Sequence, residues 1–130
     1  MKEIEELIKL TEYKHKLDIK RGSTKYKDIN WVLEQIKKEL DEVKEEIKPN
    51  NAPFLEDELA DILWGLFIAI EKLKDEGLVS NHQNIIKRAL KKYKERVLPL
   101  KGKLPEDERI WDEVKQRQKR ELLKELKGKN

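Results

Sequence analysis

The chain has no cysteine in its 130 residues. That rules out disulfides and zinc sites built on thiolates, and it leaves the redox compartment open. No long hydrophobic run is present. The longest apolar stretch, Leu59–Ile70, falls short of the roughly 20 residues a bilayer-spanning helix needs. The chain does not open on a charged-then-apolar leader. A soluble, cytoplasmic protein with no membrane partner is the expectation. Methionine occurs once, and arginine is scarce, with 6 residues against 24 lysines. This Lys/Glu bias is what a thermophile or an AT-rich genome produces. Glycine (5) and proline (4) are few, so each one punctuates.

What the chain has in abundance is charge. Asp, Glu, Lys and Arg make up 44% of it, with a net charge of +3. The distribution says more than the sum. Residues 31–61 hold 10 acidic and 4 basic side chains, whereas residues 82–96 hold 6 basic and 1 acidic. An acidic segment opposite a basic one suits a metal–phosphate ligand, and also two ordinary packed helices. The length allows one domain with little room for a second core.

Gly22, the stretch Pro49–Pro53, Gly77, and Pro99 to Pro105 with Gly102 divide the chain into five segments of helical length. Apolar residues recur every three or four positions and β-branched clusters are lacking, so the spacing predicts helices near 2–20, 27–48, 54–75, 81–97 and 105–127. Ser80-Asn81-His82-Gln83 fits a capping box and Pro105 a first helical turn. The expected fold is all-α: a compact four-helix-bundle-like domain over residues 1–99, with a basic helical extension over 100–130. The third helix is apolar nearly all round from residue 59 to 70, which calls for cover on every side, some of it from a second subunit.

One charge interrupts that apolar helix. Asp61 stands in Leu59–Ile70 without a charged neighbour. An unpaired buried carboxylate costs several kcal/mol unless a cation or metal holds it. Glu58 lies one turn upstream, and Glu39 and Glu42 form a second pair on the preceding helix. Leu33, Ile36, Leu40, Val43 and Ile47 read as the core stripe of that helix, with Glu39 about 80° and Glu42 about 140° from its centre. Leu55, Leu59, Ile62, Leu66 and Ile70 read as the core stripe of the third, with Glu58 and Asp61 on its flank. If the helices pair antiparallel, four carboxylates converge. Such a group needs a cation, and an all-oxygen ligand set selects Mg²⁺ or Mn²⁺. The alternatives are a solvated Glu/Lys face for Glu39 and Glu42, and a buried ion pair for Asp61.

The pattern Glu39-Leu40-Asp41-Glu42, followed sixteen residues later by Glu58-Leu59-Ala60-Asp61-Ile62-Leu63-Trp64, resembles the all-α nucleoside triphosphate pyrophosphohydrolases of the MazG-like superfamily. The resemblance covers roughly residues 1–97. It implies Mg²⁺-dependent hydrolysis of an NTP or dNTP to monophosphate and pyrophosphate. Glu39, Glu42, Glu58 and Asp61 would be the metal ligands, with Glu39 or Glu42 activating the water. Many members start the first motif with paired acids, where this chain has Lys38. Lys92 and Arg96 match the family's K-x-x-x-R, thought to hold phosphates. They lie about 80–120° from a core face of Ile86, Leu90, Tyr93 and Val97. Direct salt bridges to the acidic helix are the competing reading for this pair.

In this family the first helix and the loop after it border the base pocket, which makes His15 a candidate base contact, together with Trp31 as a stacking ring and Trp64 and Asn30 as lesser ones. A lone His in a charged helix is more often exposed, and aromatics at helical spacing are more often core. The resemblance further implies a nucleotide partner and a homo-oligomer, dimer or tetramer. Two readings compete with it. One is phosphoribosyl-ATP pyrophosphohydrolase, whose motif helix usually carries Tyr-His where this chain has Trp64-Gly65. The other is a non-catalytic helical interaction protein whose basic tail touches nucleic acid or a partner, nucleic acid being the less expected of the two.

Overall fold

Helix boundaries fall where the sequence supplies a local reason for them. A computed structural model describes residues 1–22 and 28–128. It contains α1 (Lys2–Arg21), α2 (Ile29–Glu45), α3 (Ala52–Asp75), α4 (His82–Val97) and α5 (Leu104–Gly128), with no strand among the described residues. The all-α expectation holds, and each helix lies within a few residues of its predicted span. None of these helices is long and apolar enough to cross a membrane. Ser23, Thr24 and Lys25, in the loop expected beside the base pocket, lie outside the described residues.

Gly22 closes α1 in the left-handed region at φ 69, and its N–H returns to the carbonyls of Asp18 and Ile19. The Asp28 carboxylate caps α2 by accepting from the Asn30 N–H at 3.0 Å. Between α2 and α3, Asn51 Nδ2 donates to the Glu46 carbonyl at 2.8 Å and to the Glu46 carboxylate at 2.7 Å. Pro53 then sits in the first turn of α3. Glu46 therefore ties the turn.

The chain divides into two compact units, Met1–His82 and Gln83–Asn130. In the first, α2 and α1 both pack on α3, and Ile8, Val32, Phe67, Ala69 and Ile70 are its buried apolar residues. His82 ends the unit, hydrogen-bonded through Nε2 to the Phe67 carbonyl at 2.9 Å.

The face that α2 turns inward is not the predicted one. Val32 is buried and Ile36, Glu39, Val43 and Glu46 are half-buried, whereas Leu33, Leu40 and Ile47 are exposed. On α3, Leu59 and Leu66 are likewise exposed, together with Leu63. Both helices carry two apolar stripes, and the one that packs within this chain is the one bearing the carboxylates. Gly65 allows the close approach: a Cβ placed there would lie 3.0 Å from Ile36 Cγ1.

In the second unit α4 and α5 are joined by polar contacts. Gln118 is buried; its Oε1 accepts from Arg96 Nε at 2.8 Å, and its Nε2 donates to the Lys92 carbonyl at 3.1 Å and to Glu95 at 3.0 Å. The Arg96 guanidinium lies over the Tyr93 and Trp111 rings, 5.7 and 5.3 Å from their centroids. Here too the expected core face differs. Ile86, Leu90, Tyr93 and Val97 are exposed, and Arg96 is the residue of α4 buried within this unit.

Candidate metal and nucleotide site

Descending α2 from Glu39 to Ile36 corresponds to climbing α3 from Glu58 and Asp61 to Gly65, so the two helices run antiparallel. That direction brings the two acidic motifs together. Glu39, Glu58 and Asp61 each offer a carboxylate oxygen within 4.8 Å of the others. Glu42 lies close enough to act on the protonation of both Glu39 and Glu58. All four predicted acids therefore meet at one seam.

Their electrostatics are those of a site without its counter-charge. Burial, then hydrogen bonding with Glu42 and the negative charges of Glu42, Asp61 and Glu58, push Glu39 up to about 7. Glu58 is raised as well, first by burial and then by Glu42, Asp61 and Asp57. One oxygen of Glu39 and one of Glu58 are buried without a hydrogen-bond partner among the described residues. Within this unit no described Lys, Arg or His forms a salt bridge with any of the four. An all-oxygen donor set with unsatisfied buried atoms fits a hard divalent cation.

Asp61 plays a different part from the expected one. Its side chain is exposed, and the buried oxygens belong to Glu39 and Glu58. Asp61 itself lines a cavity.

That cavity, about 380 Å3, runs between α1, α2 and α3. Glu39 and Asp61 line it, as do Trp31, Trp64, Gln35 and Ile68. Trp31 thus shares a cavity with the acids, as proposed for a base-stacking ring. His15 does not line it. That ring is buried, with Nε2 3.3 Å from an Asp75 oxygen. Lys92 is exposed and Arg96 is held by Gln118 and two aromatic rings in the other unit.

Sequence reasoning missed Lys14, Asp18 and Lys72, which also line the cavity. Lys72 Nζ lies 3.6 Å from one Asp18 oxygen, and Lys14 Nζ lies 2.5 Å from the other. Asp18 and Lys72 are 1% and 2% exposed. Burial draws the Lys72 pKa down, and Asp18 opposes the shift. A signal was available. Asp61, Gly65, Ile68 and Lys72 follow helical spacing, so the stripe that carries Asp61 leads to Lys72.

A comparison with curated proteins and one with solved structures found no match. A comparison with protein families matches the MazG nucleotide pyrophosphohydrolase domain over residues 28–98, more than half of the chain. The match spans Trp31, all four acids and Lys72, and leaves Lys14 and Asp18 outside. With the five-helix fold and the paired acidic motifs, it shows that the chain belongs to the MazG nucleotide pyrophosphohydrolase family.

Proposed function

We propose that the protein hydrolyses a nucleoside or deoxynucleoside triphosphate to the monophosphate and pyrophosphate, in a Mg²⁺-dependent reaction. The observation that carries this reading is the convergence of four carboxylates, lacking a salt-bridge partner within their unit, beside a cavity lined by two tryptophans. Glu39, Glu42, Glu58 and Asp61 would hold the ion, which when bound neutralises phosphate charge and lowers the pKa of water.

The rest follows from the chain's own residues. Glu39 or Glu42 takes a proton from a water that attacks the α-phosphorus in line. The new P–O bond forms as the bond to the bridging oxygen breaks, and pyrophosphate departs with that oxygen. Trp31 stacks on the base. Lys92 and Arg96 are assigned to the phosphates. Residues 1–99 act as the catalytic domain, with 100–130 as a basic extension. A homo-oligomer would cover the exposed leucines of α2 and α3, Leu33, Leu40, Leu59, Leu63 and Leu66.

The test is to incubate the protein with each NTP and dNTP, with Mg²⁺ or with EDTA, and assay for monophosphate and pyrophosphate. Hydrolysis that EDTA abolishes is the expected result. No product from any nucleotide, or activity indifferent to EDTA, overturns the reading.

A further inference from the structure

The basic end of the cavity has no role in the chemistry above. Asp18 can neutralise one lysine at full strength, and Lys14 occupies that position at 2.5 Å. Lys72 Nζ is left 3.6 Å from the other oxygen and makes no hydrogen bond among the described residues. A buried ammonium whose one close partner is a carboxylate oxygen at 3.6 Å keeps donors to spare, which is costly unless something accepts from them. A plain structural ion pair would draw the two groups into hydrogen-bonding contact. Here Lys72, its Nζ buried, lines the cavity that holds the acids. Lys72 follows Asp61 by eleven positions of α3, about 16 Å along the axis. That leaves room for phosphates at one end and a base at the other.

We propose that Lys72 reads the nucleobase, donating to an exocyclic carbonyl, so that the enzyme favours cytosine, thymine, uracil and guanine nucleotides over those of adenine. This deepens the proposed function and rests on it for the identity of the ligand. The chemistry of the cluster sets the preference. Both Asp18 oxygens already face lysines, and the other acid acting on Lys72, Asp75, is exposed and lies against His15. A carbonyl oxygen is attracted to such an end, whereas the partly positive hydrogens of the adenine amino group are repelled. Adenine has no carbonyl to offer Lys72, and its N1 and N7 acceptors flank the amino group, whose hydrogens a cation approaching them would meet. Trp31 and Trp64, also on the wall, accept any base by stacking and do not discriminate.

The test compares the wild-type full chain with Lys72→Met and Lys72→Gln. It measures kcat/KM for dATP, dCTP, dGTP and dTTP with Mg²⁺, and calorimetric binding of the four deoxynucleoside monophosphates. The wild type is expected to disfavour dATP by about tenfold to a hundredfold, the worth of one charge-assisted hydrogen bond. Lys72→Met should remove most of that difference, and Lys72→Gln, which keeps an N–H donor, should retain part of it. A thermal melt of each variant confirms folding. If the variants do not fold, the wild-type base preference decides.

Hydrolysis without a bias against dATP, or with a bias that survives in folded Lys72→Met, overturns the role of Lys72 and leaves the hydrolase reading intact. Monophosphate binding with the carbonyl preference but no triphosphate hydrolysis does the reverse. Neither binding nor hydrolysis overturns both.

Discussion

The cavity carries a charge cluster at each end, and the two are opposites. At one end four carboxylates meet with no salt-bridge partner inside their unit, and two of them are pushed toward the neutral form. At the other, Lys14, Asp18 and Lys72 bury both signs of charge, with one cation in excess. The acidic end is destabilised by its own composition and gains from an added cation. The basic end is compensated in part by Asp18, and removing that acid leaves buried positive charge unpaired. Substituting an acid at the first should therefore cost activity and spare the fold, and removing the acid at the second should do the opposite.

The largest effect is expected from Glu58→Gln. Loss of one cation ligand should lower hydrolysis by about a thousandfold, the upper range for a single group stabilising transition-state charge. The thermal midpoint of the metal-free protein should hold or rise, because a like charge has gone. Activity within tenfold of wild type, or a lowered midpoint, would erase the contrast between the ends.

Asp18→Ala tests the other side. It leaves Lys14 and Lys72 facing each other with no anion, and truncating one partner of a buried pair typically costs about 3–5 kcal/mol. Urea unfolding should show that loss at neutral pH. A change below about 1 kcal/mol would mean that water reaches the cluster and that the two ends are alike after all.

A smaller effect separates the ends by pH. Glu39 is raised from the usual carboxylate range to about 7, so the folded protein holds a proton that the unfolded chain has released. Stability then falls as pH rises through that interval. The metal-free protein should lose a few degrees of melting temperature between about pH 5 and pH 7.5. Mg²⁺ should suppress the loss, adding about 2.7 kcal/mol at a concentration a hundred times its Kd. A melting temperature that climbs with pH in EDTA would contradict the assignment of Glu39.

The sequence made some parts of this contrast visible and hid others. Gly22, the Pro49–Pro53 stretch and Gly77 bound the helices, because backbone stops act locally. The spacing of Glu39, Glu42, Glu58 and Asp61 revealed the acidic end, because an antiparallel pair of helices aligns motifs on both sides of a short turn. The basic end was hidden among 24 lysines, and its Asp18 comes from α1, a helix whose packing no spacing rule predicts. The inward face of α2 was also misread. A helical wheel gives the angle between Val32 and Leu33 but not which neighbour each one meets. A chain with two apolar stripes per helix leaves that choice to tertiary packing.

Gly65 links the two ends, since it lines the cavity one turn beyond Asp61 and touches Ile36. Alanine there has two opposing effects on stability. Helix propensity favours it by about 1 kcal/mol over glycine. The new Cβ would meet Ile36 Cγ1 at 3.0 Å, and overpacking of that kind costs about 1–3 kcal/mol. The net change in stability is therefore small, about 0–2 kcal/mol of loss. The function should suffer more, because relieving the clash moves α2 from α3 by a few tenths of an ångström where Glu39 faces Glu58 and Asp61. Gly65→Ala should thus weaken the Mg²⁺-induced rise in melting temperature and lower hydrolysis about tenfold, with the metal-free fold nearly unchanged. An unaltered Mg²⁺ response would show that the seam tolerates the methyl group by turning Ile36 alone. The four carboxylates would then owe their convergence to the Asn51–Glu46 turn and not to the close approach at Gly65.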